Sequence, residues 1–485
     1  MRQVLACARA MMQGWRHEMI RTLGNSLWAY RALLAAFALA AAGWIALAVT
    51  ARNSFGIQNL HATGLQAMLL LTTFNLVLGL TAVLTVGLMI LVPEETAFGT
   101  LLATMPMRPV LRRLALDGAV VLFALGLSVL VSAPFIWLSV TSVTGVGSVI
   151  VVLVCWLVLA VAGVLVGLAL HRAATWMICM VTRLPRTLAR AVSALVVIGA
   201  VGQQTMGSQF VNGGKPALQR TLEPLAHAVI QRPLVAFAVA LGIGVGSVGV
   251  WWCTALLGMG AARMGGVRLI GPYAGTLRHR PRSLPVLELV QLVRHPANLS
   301  TLMVLGGASL AAVASSAVRD ALLWPLGAGL LLSVGSVLFV GSYGATWTHH
   351  WLFRTASVRP TIWVNSKWLA AIGLWAGVLA TLCIAFTATP LWNMKLVWGL
   401  VPQLLPAFAV SMLVGLVIPV SDEQPMSSMA AVTLAGVGGI GTAIAVTKIS
   451  GDSTVISLAV SGVILGVALY GYGQLARWRE RDLVF

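Results

Sequence analysis

The chain alternates long apolar runs with short polar breaks. Runs at 32–50, 65–92, 116–140, 148–170, 191–208 and 233–258 precede a basic stretch at 259–299. Further runs follow at 300–318, 322–345, 368–388, 399–420, 428–447 and 455–474. A helix crosses the hydrocarbon core with about 20 apolar residues. The pattern therefore predicts an all-α polytopic membrane protein with about twelve transmembrane helices in two six-helix repeats, N and C termini cytoplasmic. Residues 1–30 are too polar to span. Val4, Ala8, Met11, Met12, Trp15, Met19 and Leu23 share one helical face, which predicts an amphipathic helix in the membrane interface. The expected organisation is that helix (1–30), a first six-span half (31–260), a basic cytoplasmic linker with a second interfacial helix (261–299), and a second six-span half (300–485).

Charge fixes the expected orientation. With the N terminus inside, Arg52, Lys215, Arg220, Arg232, Arg319, Lys395 and Lys448 alone face outward, and every other Lys and Arg falls in cytoplasmic loops. Basic residues on the cytoplasmic flanks are the rule for inserted helices. The net charge of +19 is thus spread over loops, without a basic domain of the kind that holds nucleic acid. Hydrophobic residues make up 59% of the chain and charged residues 9%, too few for a water-solvated surface. The longest outer segment, 209–232, carries a turn signal at Asn212–Pro216, then Leu222, Leu225, Ala228 and Val229 at helical spacing. A short helical or re-entrant element is expected there.

One segment occurs twice. Thr104-Met105-Pro106-Met107-Arg108-Pro109 and Thr355-Ala356-Ser357-Val358-Arg359-Pro360 both read T-x-x-x-R-P. Both are cytoplasmic in the expected topology, follow the second span of their half, and open into the third. This spacing predicts an internal repeat.

The stretch preceding the first copy holds the most chemistry. Pro93 interrupts the second run, and Glu94 and Glu95 lie where a helix N-terminus favours negative charge. Glu95 and Gly99 share a face, Phe98, Leu101 and Leu102 form an apolar patch, and Pro106 closes the element. The residues alone are equally compatible with a helix that docks on another protein and with one lying on the lipid surface.

E-x-x-x-G-T-L followed by L-x-x-x-P-x-R resembles the cytoplasmic signature of type-2 ABC exporter permeases, matched here by Glu95, Gly99, Thr100, Leu101, Pro106 and Arg108. The resemblance implies that this segment, with Glu94 and Phe98, is a coupling helix docking on a separate ATPase subunit. The segment from Trp351 to Lys367 resembles a second copy, carrying Arg354, Thr355 and Arg359 but lacking the Glu and the Gly-Thr pair. On this resemblance the chain is no enzyme. ATP and Mg belong to partner ABC ATPase subunits, two per permease chain, and this chain holds no cofactor of its own. Leu287–Arg294 would be the second interfacial helix.

Other chemistry is sparse. No G-x-x-x-x-G-K-[ST] phosphate loop exists, since Gly214-Lys215 is followed by Pro216. His17-Glu18 has Arg21 where a metalloprotease needs histidine. The five cysteines form no CxxC pair and no metal set. Asn75, Gln203 and Gln204 are polar positions within spans, candidates to line a substrate passage or to satisfy neighbouring helices. A charge-poor interior argues for an amphipathic or hydrophobic cargo such as a drug, antibiotic, peptide or lipid. The rival expectation is an ion-coupled secondary transporter, which needs titratable groups near the midplane. Arginine far outnumbers lysine, as in proteins of GC-rich bacteria, and a bacterial plasma membrane is the expected site.

Overall fold

The computed structural model describes residues 9–10, 13–14, 16–21, 23, 26–54, 63–91, 108–182, 184, 186–206, 217–255, 283–294, 337–344, 359–387, 394–419, 425–450 and 453–482. These residues are helical almost throughout and include no strand. Among the described residues six helices contain stretches long and apolar enough to cross a membrane: Gln66–Ile90, Val110–Ser142, Val146–Thr182, Pro233–Thr254, Ala430–Ser450 and Thr454–Arg477. The chain is an all-α, multi-pass membrane protein.

It divides into two compact units. The first comprises Met1–Arg16, Leu27–Ile90 and Glu94–Arg263, and the second His17–Ser26, Leu91–Pro93 and Met264–Phe485.

In the first unit, α1 (Leu27–Ser54), α2 (Thr63–Leu91), α3 (Pro109–Ser142), α4 (Val146–Thr182), α5 (Arg186–Met206), α6 (Ala217–Gln231) and α7 (Pro233–Thr254) follow one another. Proline occupies the first helical position of α3 and α7, where its missing N–H costs nothing and its fixed φ suits the helix. Helices α3 and α4 are joined by residues 143–145 only, closed by Gly145 at φ +94°, a backbone region that glycine enters freely. Leu70, Phe74 and Val77 of α2 meet Val152, Cys155 and Leu159 of α4 in the core. Ala236 and Ala240 of α7 join them, and α6 caps the cluster with Leu222, Leu225, Ala226 and Val229. Residues 217–231 therefore form an amphipathic helix whose apolar face is buried.

Gly163 and Gly167, one turn apart on α4, let α2 approach closely. A Cβ at Gly163 would lie 1.9 Å from Thr81 Oγ1 and 2.5 Å from the Leu78 carbonyl, and one at Gly167 2.8 Å from the Ala82 carbonyl. Small residues at such spacing replace the hydrophobic drive that lipid removes from helix association.

The second unit contains α8 (Ser283–Arg294), a short turn made of Val337–Val340 and Gly341–Gly344, then α9 (Pro360–Thr387), α10 (Met394–Val417), α11 (Pro425–Ser450) and α12 (Thr454–Asp482). Its core is aromatic. Phe339 and Phe408 meet edge-to-face at 4.7 Å, while Trp368 packs on Phe408 at 5.6 Å and on Tyr472 at 5.4 Å.

Helix α10 carries Pro402 and Pro406 in its interior. Pro406 has no N–H to offer the carbonyl of Pro402, four residues back. Ser461 of α12 donates to that carbonyl instead, at 2.5 Å. An acid from the N-terminal segment performs a similar service for α11. Glu18 Oε1 accepts from the Ser427 amide at 3.0 Å and from its hydroxyl at 3.1 Å, placing negative charge at the first turn of the helix.

Candidate functional site

Apolar patterning leads one to expect helix interiors almost without charge. The structure departs from this in both units, because α4 and α9 are longer than the runs that predict them and carry polar residues inward.

In the first unit the polar groups gather at the end of the bundle opposite the α3–α4 turn. Asp117 of α3 accepts on Oδ1 from the Arg172 guanidinium of α4 and on Oδ2 from the Trp251 indole of α7, the latter at 3.0 Å. Arg113, one turn back on α3, stands 3.4 Å from the same carboxylate. The side chains of Asp117 and Arg172 are each 5% exposed. Among the described residues Arg172 Nε and Nη1 have no hydrogen-bond partner, and Asp117 is the acid that answers this buried cation.

Alongside, Ser193 Oγ of α5 sits 2.6 Å from His171 Nδ1 and 3.0 Å from the His171 carbonyl. Thr175 Oγ1 is 2.7 Å from that carbonyl and 2.9 Å from Ser193 Oγ. Arg190 of α5 donates to the Met89 carbonyl at the end of α2. Five helices are thus tied together at one level.

Depth follows from helix geometry. At 1.5 Å per residue, Asp117 lies about 38 Å along α3 from its last residue, and Arg172 about 40 Å along α4 from its first. The hydrocarbon core is about 30 Å thick. With the turn at one interface, the cluster sits at the headgroup level of the other, well away from the midplane. Helix α4, 37 residues long, continues about 15 Å beyond Arg172.

The second unit has a counterpart near the start of α9. Lys367 Nζ meets Glu288 Oε2 of α8 at 3.0 Å, with the two side chains 1% and 3% exposed. The Tyr343 and Trp363 rings stand 5.7 and 5.8 Å from the ammonium, close enough for a cation–π attraction. Both helices that carry these ties start in the same way. Arg108 precedes Pro109 and Arg359 precedes Pro360, both arginines are exposed, and each proline is the first residue of its helix. The buried charge follows about two turns, or ~11 Å, later.

The remaining candidates are placed as follows. Glu94, Glu95, Phe98, Gly99, Thr100, Leu101, Pro106, Arg354 and Thr355 lie outside the described residues. Asn75 is buried in α2. Gln204 is exposed near the end of α5, its Oε1 3.4 Å from the Leu218 amide of α6, which ties that residue to a neighbouring helix. Gln203 belongs to α5, with its side chain outside the described set. Among the described residues no three His, Cys, Asp or Glu side chains gather as a metal site.

The ties themselves were missed in the sequence. In the sequence Lys367 closes the coupling-type segment that begins at Trp351 and Glu288 belongs to the interfacial helix Leu287–Arg294, with nothing local to pair them. A signal existed for the first pair: across a three-residue turn, residues equidistant from it along two helices face each other, as Asp117 and Arg172 nearly do.

Comparison with protein-family models, with curated proteins and with solved structures returned no match for this chain.

Proposed function

We propose that this chain is the transmembrane permease subunit of an ATP-driven ABC exporter of the bacterial plasma membrane, with twelve spans and both termini in the cytoplasm. In this reading two separate ATPase subunits supply the energy and hold ATP and Mg, and the cargo is amphipathic or hydrophobic. What carries the proposal is the pairing of each coupling-type segment with a braced helix. The segments at 93–109 and 346–362 run directly into α3 and α9 through Arg-Pro. Each of these helices is pinned by a buried charge about two turns in, Asp117 to Arg172 and Lys367 to Glu288.

A helix pushed at its end transmits the displacement only if it moves with its neighbours. A buried ion pair resists separation, because parting the charges in a low dielectric leaves both uncompensated. Closure of the ATPase subunits would press on both segments, and α3 would carry α4 and α7 with it through Asp117. Helix α9 would carry α8 through Lys367. Glu95 and Gly99 would sit on the docking face, with Phe98 and Leu101 as the apolar contact.

The test is gentle purification from native membranes. An ATPase subunit should accompany the chain, ATP turnover should require both, and Glu95→Ala should weaken assembly or uncouple turnover from export. If Glu95→Ala changed neither assembly nor export, the role given to that helix would be wrong.

An ion-coupled secondary transporter is the second reading, favoured by the presence of buried carboxylates at all. Their depth weighs against it, since Asp117 stands at headgroup level, about 20 Å from the midplane. Cargo movement by the purified chain alone, abolished by collapsing an ion gradient and indifferent to nucleotide, would establish the carrier in place of the exporter.

A further inference from the structure

Helices α9 and α12 run antiparallel, and an open groove of about 520 Å³ lies between the start of α9 and the end of α12. Its lining is graded along the helices. Asn365, Gln474 and Arg477 occupy the end where α9 begins, and Trp368, Leu369 and Leu469 occupy the part deeper along both helices. Arg477 lies about 35 Å along α12 from Thr454, its first residue, so with the start of the helix at one interface the guanidinium stands at the level of the other. Trp368 is buried and forms the floor, its ring held by Tyr472 and Phe408. Leu369 is exposed, 59% by area. Among the described residues of the lining Arg477 is the only charged one, and Lys367 beneath is paired with Glu288.

We propose that this groove is a binding site for one anionic phospholipid of the adjoining leaflet. The headgroup phosphate would lie against Arg477, with Gln474 and Asn365 as neutral hydrogen-bonding partners, and an acyl chain would run over Trp368 between Leu369 and Leu469. Three features select this occupant. The groove is open, its polarity changes in the sense in which a lipid's polarity changes with depth, and the one charge among its described residues is positive. A guanidinium recognises phosphate through paired N–H donors, and a basic group near a membrane surface contributes about 1 kcal/mol toward an anionic lipid. A soluble anion would make no use of the apolar half of the groove. The inference is independent of the exporter reading.

The experiment is native mass spectrometry of the full chain, with any subunits that accompany it. It would be released from mixed micelles containing phosphatidylglycerol and phosphatidylcholine of identical acyl chains. One phosphatidylglycerol should be retained in about fivefold preference to phosphatidylcholine, the ratio that ~1 kcal/mol supports. Arg477→Gln should erase that preference. Leu369→Trp, which fills the apolar half, should lower retention of both lipids. Arg232→Gln, at an exposed helix junction in the first unit, should leave the preference intact. Equal retention of the two lipids by the unaltered chain would overturn the proposal. So would an unchanged preference in Arg477→Gln, or displacement of the lipid by free glycerol phosphate at equal concentration.

Discussion

Replacing Asp117 by asparagine tests whether the polar cluster braces the first unit. The amide keeps an oxygen for the Trp251 indole, 3.0 Å away in the parent, so that contact loses only the advantage of a charged acceptor. Arg113 is 24% exposed along its side chain, and its contribution is of the surface kind, ~1 kcal/mol or less. Arg172 decides the magnitude. It is 5% exposed, two of its guanidinium nitrogens have no partner among the described residues, and asparagine leaves it a buried cation without a counter-charge. Breaking a buried pair from one side costs about 3–5 kcal/mol, so Asp117→Asn should destabilise the unit by about 3–4 kcal/mol. The double variant Asp117→Asn/Arg172→Met removes the orphaned cation and should recover roughly half of that loss. Equilibrium unfolding by sodium dodecyl sulfate titration from mild micelles, followed by tryptophan fluorescence, gives the four corners of the cycle. A single variant within about 1 kcal/mol of the parent, or a double variant no more stable than the single, would refute the argument that Asp117 answers Arg172.

Other outcomes follow from the packing. Gly163→Val places carbon where Thr81 Oγ1 and the Leu78 carbonyl now sit, 1.9 and 2.5 Å from a Cβ. The α2–α4 contact should part at a cost of several kcal/mol, of the order of overpacking in a tight core or above it, seen as loss of a cross-link between cysteines engineered into those helices. Retained cross-linking would show that the contact can yield. Ser461→Ala strands the Pro402 carbonyl that Pro406 cannot serve, and should lower stability by about 1–3 kcal/mol, with Ser461→Thr recovering most of it. No loss in the alanine variant would mean the carbonyl finds another donor. Lys367→Met leaves Glu288 buried without its cation, and should destabilise more than Lys367→Met/Glu288→Leu, by about 2 kcal/mol. Equal stability of the two would remove the pair from the list of braces.

The helices were legible because lipid imposes a blunt requirement. Every backbone group in the hydrocarbon must be satisfied within its own helix, and a sustained apolar run meets it visibly. The amphipathic helix α6 was legible for the same reason at smaller scale, through Leu222, Leu225 and Val229. The ties were not, because a buried charge is satisfied by a residue far along the chain. Asp117 and Arg172 belong to different helices, as do Glu288 and Lys367, and neither partner is marked by local spacing. The functional reading joins short motifs, whose positions Glu95 and Gly99 lie outside the described residues, to the braced helices α3 and α9 that follow them. Arg108 and Arg359 are exposed residues at helix starts.

The three residues that join α3 to α4 govern how these helices reach the bilayer during synthesis. So short a connection leaves no polar segment to be carried across by itself, and the two helices must cross as a single hairpin. Arg172 emerges from the ribosome only after Asp117 has long since appeared. Until then the acid has the cation of its own helix, Arg113, one turn back. Delaying translation between the two codons would prolong the interval in which Asp117 has Arg113 and not yet Arg172 as its cation.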